Sequence, residues 1–243
     1  MSRIISGPNA VEEFIKAGKA KPDEVYILSG LSQKTAARIY SLCEKHKITA
    51  TAVSKDKLDA LSKNEIHQGV IAIAGEFNYT PFENILKKSK SLEKSVIVIL
   101  DQVQDPGNLG AIIRSSKGLG ANGVIITKHR SAQMTSGAVR ASAGASELIP
   151  VAAVINLVNA IEQLKEEGFT IFGADGKADL SIETIKWPDK TVIIMGNEAK
   201  GLRLLTRQNC DHLFKIPITD FESLNVSAAA AISLYQVKIS LIN

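Results

Sequence analysis

The sequence predicts an α/β protein in two parts, a small front α/β unit followed by a larger one built on an open sheet. Three observations carry this. Short β-branched runs alternate with amphipathic helical stretches through the 243 residues, the pattern that builds βαβ units. Composition changes sharply after the polar run KKSKSLEK, where the wholly apolar run Val96–Leu100 begins. That run ends in Asp101 and passes through Pro106, Gly107, Asn108 and Gly110 into a helical stretch carrying Arg114, then into a second β-branched run at Val124. Strand, loop, helix and strand in this order put a working loop at the carboxyl end of the first strand, where open α/β sheets bind ligands.

The front unit spans residues 1–75. Gly7-Pro8-Asn9 is a turn with Asn9 as the expected N-cap, and Ala10, Val11, Phe14 and Ile15 follow at helical spacing. Val25–Leu28 reads as a buried strand, Thr35–Lys47 as a helix, Ile48–Val53 as a strand, Lys55–Leu61 as a short helix and His67–Ile73 as a closing strand. Eleven Lys and Arg against eight Asp and Glu leave this unit net positive, which suits phosphate contact because such contact needs charge but little fixed geometry. Residues 76–94 read as a linker with one helical turn at Phe82–Leu86.

The larger unit covers residues 95–243. After Ile126, the segment Lys128–Ala145, KHRSAQMTSGAVRASAGA, reads as a loop plus a helix of small residues that packs close to another backbone. Glu147–Val151 is expected to return to strand. Asn156–Glu167 is an amphipathic helix through Leu157, Val158, Ile161 and Leu164, closed by Gly168. Strands are expected at Thr170–Ala174, Val192–Met195 and Phe214–Ile216, a short helix at Leu202–Thr206, and a last helix at Val226–Leu241.

Composition narrows the function. The chain is 45% apolar and 22% charged, with a formal charge of +4 and a pI near 8.9. A mildly basic balance suits a nucleic-acid partner without requiring one. Two cysteines, no CxxC and no histidines at ligand spacing point away from disulfides and metal. The opening MSRIISGPNA lacks the apolar core of a signal peptide, and no apolar run approaches the ~18 residues of a membrane span. The expected location is the cytoplasm.

Three loops carry the chemistry. On a helix starting near Leu109, the side chains of Leu109, Ile112 and Ile113 face the sheet and Arg114 points away from it. Gly110 and Gly118 lie four residues to either side of Arg114 and are expected to leave its guanidinium uncovered, a cation suited to phosphate. Asn108 occupies an N-cap position. The second loop, Gly196-Asn197-Glu198-Ala199-Lys200-Gly201, matches neither a G-x-G-x-x-G nor a Walker pattern, so dinucleotide and ATP binding are not supported. Its two glycines permit close backbone approach to a ligand. The third loop runs from Ile216-Pro217-Ile218 to Ser223-Leu224-Asn225-Val226-Ser227, where Ser223 or Asn225 is positioned to cap a helix thinned by Ala228–Ala231.

Taken together, N-x-G-x-x-x-R, GNEAKG and IPI…SLNVSAA resemble the three signature motifs of the SpoU (TrmH) branch of the SPOUT RNA methyltransferases, over about 150 residues. The opening ISGPNAVEEFI and the closing HQGVIA resemble that family's amino-terminal substrate-binding domain, an L30e-like fold. Length and arrangement are most similar to the bacterial members that methylate a guanosine 2′-hydroxyl in 23S rRNA. The resemblance implies S-adenosylmethionine as cofactor, a SPOUT catalytic domain with a carboxyl-terminal trefoil knot, an exception to the general absence of knots, and a homodimer. It assigns Asn108, Arg114, Glu198, Ser223 and Asn225 to catalysis. It places the cofactor against backbone around Gly196, Ile216 and Leu224, shaped by Asn197 and Gly201. Arg114 is implied to activate the 2′-hydroxyl. A guanidinium pKa above about 12 makes electrostatic stabilisation of the developing alkoxide an equal reading. Asp220-Phe221-Glu222, just before Ser223, is the one local departure. The competing readings are a tRNA 2′-O-methyltransferase of the same family and a non-catalytic ribosome-assembly factor, against which the intact Asn108, Arg114, Glu198 and Asn225 speak.

Overall fold

The computed structural model describes residues 3–18, 20–62, 66–220 and 223–242; Phe221 and Glu222 of the departure noted above lie outside them. The elements in order are β1 (Arg3–Ser6), α1 (Pro8–Ala17), β2 (Glu24–Leu28), α2 (Gln33–Lys45), β3 (Ala50–Val53), α3 (Lys55–Ser62), β4 (Val70–Ala74), α4 (Phe82–Lys90), β5 (Ser95–Leu100), α5 (Pro106–Leu119), β6 (Gly123–Thr127), α6 (Ser136–Ala141), α7 (Ala145–Leu148), β7 (Val151–Val154), α8 (Leu157–Glu166), β8 (Thr170–Ala174), β9 (Leu180–Ser181), a 3-10 turn (Ile182–Thr184), β10 (Lys190–Met195), α9 (Leu204–Gln208), β11 (His212–Lys215) and α10 (Val226–Ile242). They form two compact units, Met1–Asn78 with Met134–Leu148, and Tyr79–Gln133 with Ile149–Asn243.

The first unit holds a four-stranded sheet in the order β1-β4-β2-β3. β4 is antiparallel to both neighbours, and β2 runs parallel to β3. Strand β1 is absent from the sequence reading, and its four residues are too few to show a period. Pro8 opens α1, where its missing N–H costs nothing. Asn9 therefore sits inside the helix and does not cap it; its side-chain Oδ1 accepts a hydrogen bond from Arg38 Nη2 at 3.2 Å.

The expected strand at Glu147 is instead the short helix α7, and strand begins only at Val151. The reason is charge. Glu147 is buried against Arg3, with Nη1 donating to Oε1 at 2.9 Å, and the two side chains are 4% and 7% exposed. The Arg3 guanidinium also lies over the rings of Phe14 and Phe77, at 5.1 and 5.0 Å from their centroids. Glu147→Ala would strand that cation, and breaking a buried pair from one side costs about 3–5 kcal/mol. A urea titration of the full chain should show a destabilisation of this size. A loss below about 1 kcal/mol would mean that water reaches Arg3.

The second unit holds a seven-stranded sheet in the order β7-β6-β5-β10-β8-β11-β9, parallel throughout. All six residues of β5 are buried, as expected of a parallel strand covered on both faces. On one face Ile97, Ile99, Ile125, Val192 and Ile194 pack with Ile161 and Leu164 of α8 and with Phe82 and Ile85 of α4. The single turn expected at Phe82–Leu86 is thus a nine-residue helix, held by its two buried apolar side chains. Asn156 caps α8 by accepting from the Asn159 amide at 3.2 Å. Helix α10 packs against α5 and against β10.

Strand order creates the site. β10, late in the sequence, inserts between β5 and β8, with Met195 beside Leu100. The Asp101 amide then donates to the Met195 carbonyl at 2.8 Å. The loops that leave β5 and β10 are therefore neighbours, although about 95 residues separate them in the chain.

Candidate active site

The first loop starts with a buried acid. Asp101 is fully buried, and its carboxylate accepts from the Arg203 amide at 3.0 Å and from Arg203 Nε at 2.5 Å. Gln102 follows with φ 63°, a left-handed conformation that is uncommon for a non-glycine residue. This turn aims the Gln102 carbonyl at Asn197, whose Nδ2 donates to it at 2.8 Å.

Asn108 is not the cap of α5. The helix begins at Pro106, and Asp105 caps it by accepting from the Asn108 amide at 2.7 Å. Two capping acceptors stand three residues apart here, and Pro106 at the first helical position favours the earlier one. The Asn108 side chain is thereby released to join the other two loops. Its Nδ2 donates to Glu198 Oε1 and its Oδ1 accepts from Asn225 Nδ2, each at 3.1 Å.

The second loop is a closed hairpin. Asn197 and Gly201 exchange backbone hydrogen bonds at 3.0 and 2.9 Å, and the Asn197 carbonyl oxygen of the side chain accepts from the amides of Ala199 and Lys200 at 3.0 Å. Glu198 is surrounded by donors. Oε1 accepts from Asn108 and from the Asp105 amide at 3.4 Å, and Oε2 accepts from the Gln104 amide at 3.3 Å and from Asn197 Nδ2 at 3.4 Å. This carboxylate anchors the first loop to the second.

In the third loop Asn225 caps α10. Its Oδ1 accepts from the amide and hydroxyl of Ser227 at 2.9 and 2.6 Å, while its carbonyl takes the first helical bond from Ala229. Ser223 is exposed, Leu224 and Ile218 are each 37% exposed, and Ile216 is half-buried.

Arg114 is exposed on α5, and no hydrogen bond or ion pair engages its side chain among the described residues. It lies about 120° around the helix axis from Asn108. Gly118 is exposed, whereas Gly110 is buried, so only one of the two flanking glycines leaves Arg114 uncovered. Asn108, Asn197, Glu198 and Asn225 thus form one network. Arg114, Ser223, Ile216 and Leu224 stand outside it. The sequence reading missed Asp101, Gln102, Asp105 and Arg203, which hold the network. The available signal was an acid directly after a fully apolar strand, which needs a partner once buried.

No thiol belongs to this network. Burial pushes the Cys210 thiol up to about 12 and raises that of buried Cys43. With 9.0 as the ordinary value, native Cys210 carries about 10³-fold less thiolate at pH 8 than the unfolded chain. Iodoacetamide should therefore label Cys210 only after denaturation. Because the native state keeps this proton longer than the unfolded state, stability falls as pH rises from about 9 towards about 12. Fast native labelling at pH 8 would contradict the burial. Among the described residues there is no cluster of three or more metal-ligating side chains, and no helix long and apolar enough to cross a membrane.

Comparison with known proteins bears on this geometry. Residues 95–235 match the model of the SpoU rRNA Methylase family, and residues 4–80 match that of the RNA 2′-O ribose methyltransferase substrate-binding domain. The chain is similar to the 23S rRNA (guanosine-2′-O-)-methyltransferase RlmB of Escherichia coli K12, with 34% identity over 97% of this chain and 98% of that one. It is also similar to a putative TrmH family tRNA/rRNA methyltransferase of Staphylococcus aureus, with 36% identity over 96% of this chain and 94% of that one. In structure it resembles an AdoMet-bound rRNA methyltransferase from Sinorhizobium meliloti, at a TM-score of 0.82 and 24% identity, covering 100% of this chain and 88% of the other.

Proposed function

The chain belongs to the SpoU rRNA methylase family, and from that premise we infer that it transfers the methyl group of S-adenosylmethionine to the ribose 2′-oxygen of a guanosine in 23S rRNA. The carrying observation is the Asn108 side chain, which bonds to both the second and the third loop at 3.1 Å and so makes three distant motifs one site. The guanosine and 23S assignments follow the similarity to RlmB across nearly the whole chain.

The residues present fit the cofactor. Ile218 and Leu224 leave apolar surface uncovered on the third loop, and the hairpin Asn197–Gly201 offers backbone rather than side chains beside Gly196. Gly196, Asn197, Gly201, Ile216 and Leu224 would hold S-adenosylmethionine, which supplies an electrophilic methyl group when bound. Asn108 and Asn225, locked together, orient the ribose. Ser223 is an exposed hydroxyl available to the same nucleotide. Glu198 fixes the geometry of the first loop. Arg114 brings a cation, unpaired among the described residues, to stabilise phosphate and the developing alkoxide. Methyl transfer is an in-line displacement, so holding donor and acceptor aligned supplies much of the rate.

Residues 1–75 serve in this reading as the RNA substrate-binding domain, of L30e-like fold, and 95–243 supply the catalytic domain, with α4 of the 76–94 segment packed into the core of the second unit and Met134–Leu148 packed in the first. The reading includes the family's carboxyl-terminal trefoil knot, with which the placement of β10 between earlier strands is consistent. The reading includes a homodimer, for which the adjacent exposed Leu204 and Leu205 on α9 offer apolar surface; sedimentation as a monomer at micromolar concentration would refute that part. The reaction is cytoplasmic. Purified protein should transfer labelled methyl groups from S-adenosylmethionine to 23S rRNA lacking the modification, and mapping 2′-O-methylation in total RNA with and without the protein identifies the nucleotide. Labelling of tRNA alone would overturn the substrate assignment, and RNA binding without transfer would favour an assembly factor.

A further inference from the structure

The segment KHR, Lys128–Arg130, leaves the carboxyl end of β6 and plays no part in the network described above. β6 is the direct neighbour of β5, with Ile126 beside Leu100, so this loop starts at the edge of the sheet that carries the first signature loop. The two are bonded: the Ala132 amide donates to the Val103 carbonyl at 2.8 Å. Lys128, His129 and Arg130 are all exposed, and among the described residues no hydrogen bond or ion pair engages their side chains.

The loop is held rigidly. Arg130 adopts φ 58°, an unfavourable conformation for a long side chain that persists only when its surroundings impose it. The surroundings are polar and local. Thr127 Oγ1 donates to the His129 carbonyl at 3.2 Å, and the Ser131 hydroxyl is hydrogen-bonded to that of Thr127. Gln133 Nε2 donates to the carbonyls of Thr127 and Ser131 at 3.1 and 3.2 Å, and the Tyr79 hydroxyl in turn donates to Gln133 Oε1 at 3.1 Å. A solvated charge run would need no such scaffold. The Lys128 and Arg130 cations, unpaired among the described residues and presented in a fixed arrangement, match a fixed row of anions, and a nucleic-acid backbone is such a row.

We propose that Lys128, His129 and Arg130 form a phosphate-binding loop that grips the RNA backbone next to the nucleotide being methylated. The proposal rests on the RNA-methyltransferase reading above. Arg guanidinium favours two-pronged phosphate contact, and Lys adds a point charge. The loop reads no base. It sets the register of the strand while the adjoining loops hold the ribose.

The test uses the full chain carrying Lys128→Ala and Arg130→Gly together, since glycine tolerates φ 58° and keeps the turn. The probe is an unmethylated 23S rRNA transcript, with affinity measured across salt concentrations. Loss of two phosphate contacts should flatten the dependence of log affinity on log salt by about 2. The KM for RNA should rise on the order of tenfold, with S-adenosylmethionine affinity unchanged. Arg130→Lys should recover part of the salt dependence. An unaltered salt slope and RNA KM, alongside active wild-type enzyme, would overturn the phosphate loop alone. Wild-type protein that neither binds nor methylates RNA would overturn the parent reading.

Discussion

Arg114→Ala is expected to slow methyl transfer to RNA by about 10²–10³-fold, the loss typical of removing one preorganised electrostatic group from a transition state. S-adenosylmethionine affinity should stay close to that of the wild type, because Arg114 lies on α5 and outside the hairpin that would hold the cofactor. Stability should change by less than about 0.5 kcal/mol, since the side chain is exposed and bonds to nothing among the described residues. These three readouts separate a reacting role from a structural one. Arg114→Lys should recover only part of the rate, because an ammonium keeps the charge but not the planar two-pronged donor. Single-turnover transfer of labelled methyl groups measures all of this. A variant within tenfold of wild type would remove Arg114 from the chemistry.

What the sequence showed, and what it hid, divides by range. Strands such as β5 and β10 announce themselves as unbroken apolar runs, and α8 by its spacing, because burial acts on neighbours along the chain. The insertion of β10 between β5 and β8 has no local signature, yet it alone brings Asn197 to Gln102 and Glu198 to Asn108. Asn108 was misread as a cap for a different reason. Asp105 offers the same capping chemistry one turn earlier, and only Pro106 between them distinguishes the two. The helix at Glu147 was hidden because its cause, Arg3, lies 144 residues away. The network around Asp101 was visible only as an oddity, an acid closing an apolar strand, whose meaning depended on Arg203, which follows the neighbouring strand β10.

Gly196→Ala is expected to remove most cofactor binding, with affinity for S-adenosylmethionine falling by about 100-fold or more, the scale at which a misplaced site loses its ligand. A Cβ at this buried position would sit 2.3 Å from the Gly201 carbonyl carbon, 2.5 Å from the Leu202 amide nitrogen and 2.6 Å from the Gly201 oxygen. All three are backbone atoms, so no side-chain rotation relieves the overlap, and the Asn197–Gly201 hairpin must open. Opening it withdraws Asn197 from the Gln102 carbonyl and Glu198 from Asn108 and the amides of Gln104 and Asp105. One methyl group therefore dismantles both the proposed cofactor cradle and the anchor of the first loop. Gly201→Ala supplies the contrast. A Cβ there meets nothing within 4 Å, and only its φ of 66° resists, which costs about 1–2 kcal/mol of left-handed strain. Its affinity loss should accordingly stay near tenfold. Calorimetric titration of the two variants side by side distinguishes overlap from strain. Equal losses would mean that hairpin conformation, not the close approach of its two ends, governs the cofactor site.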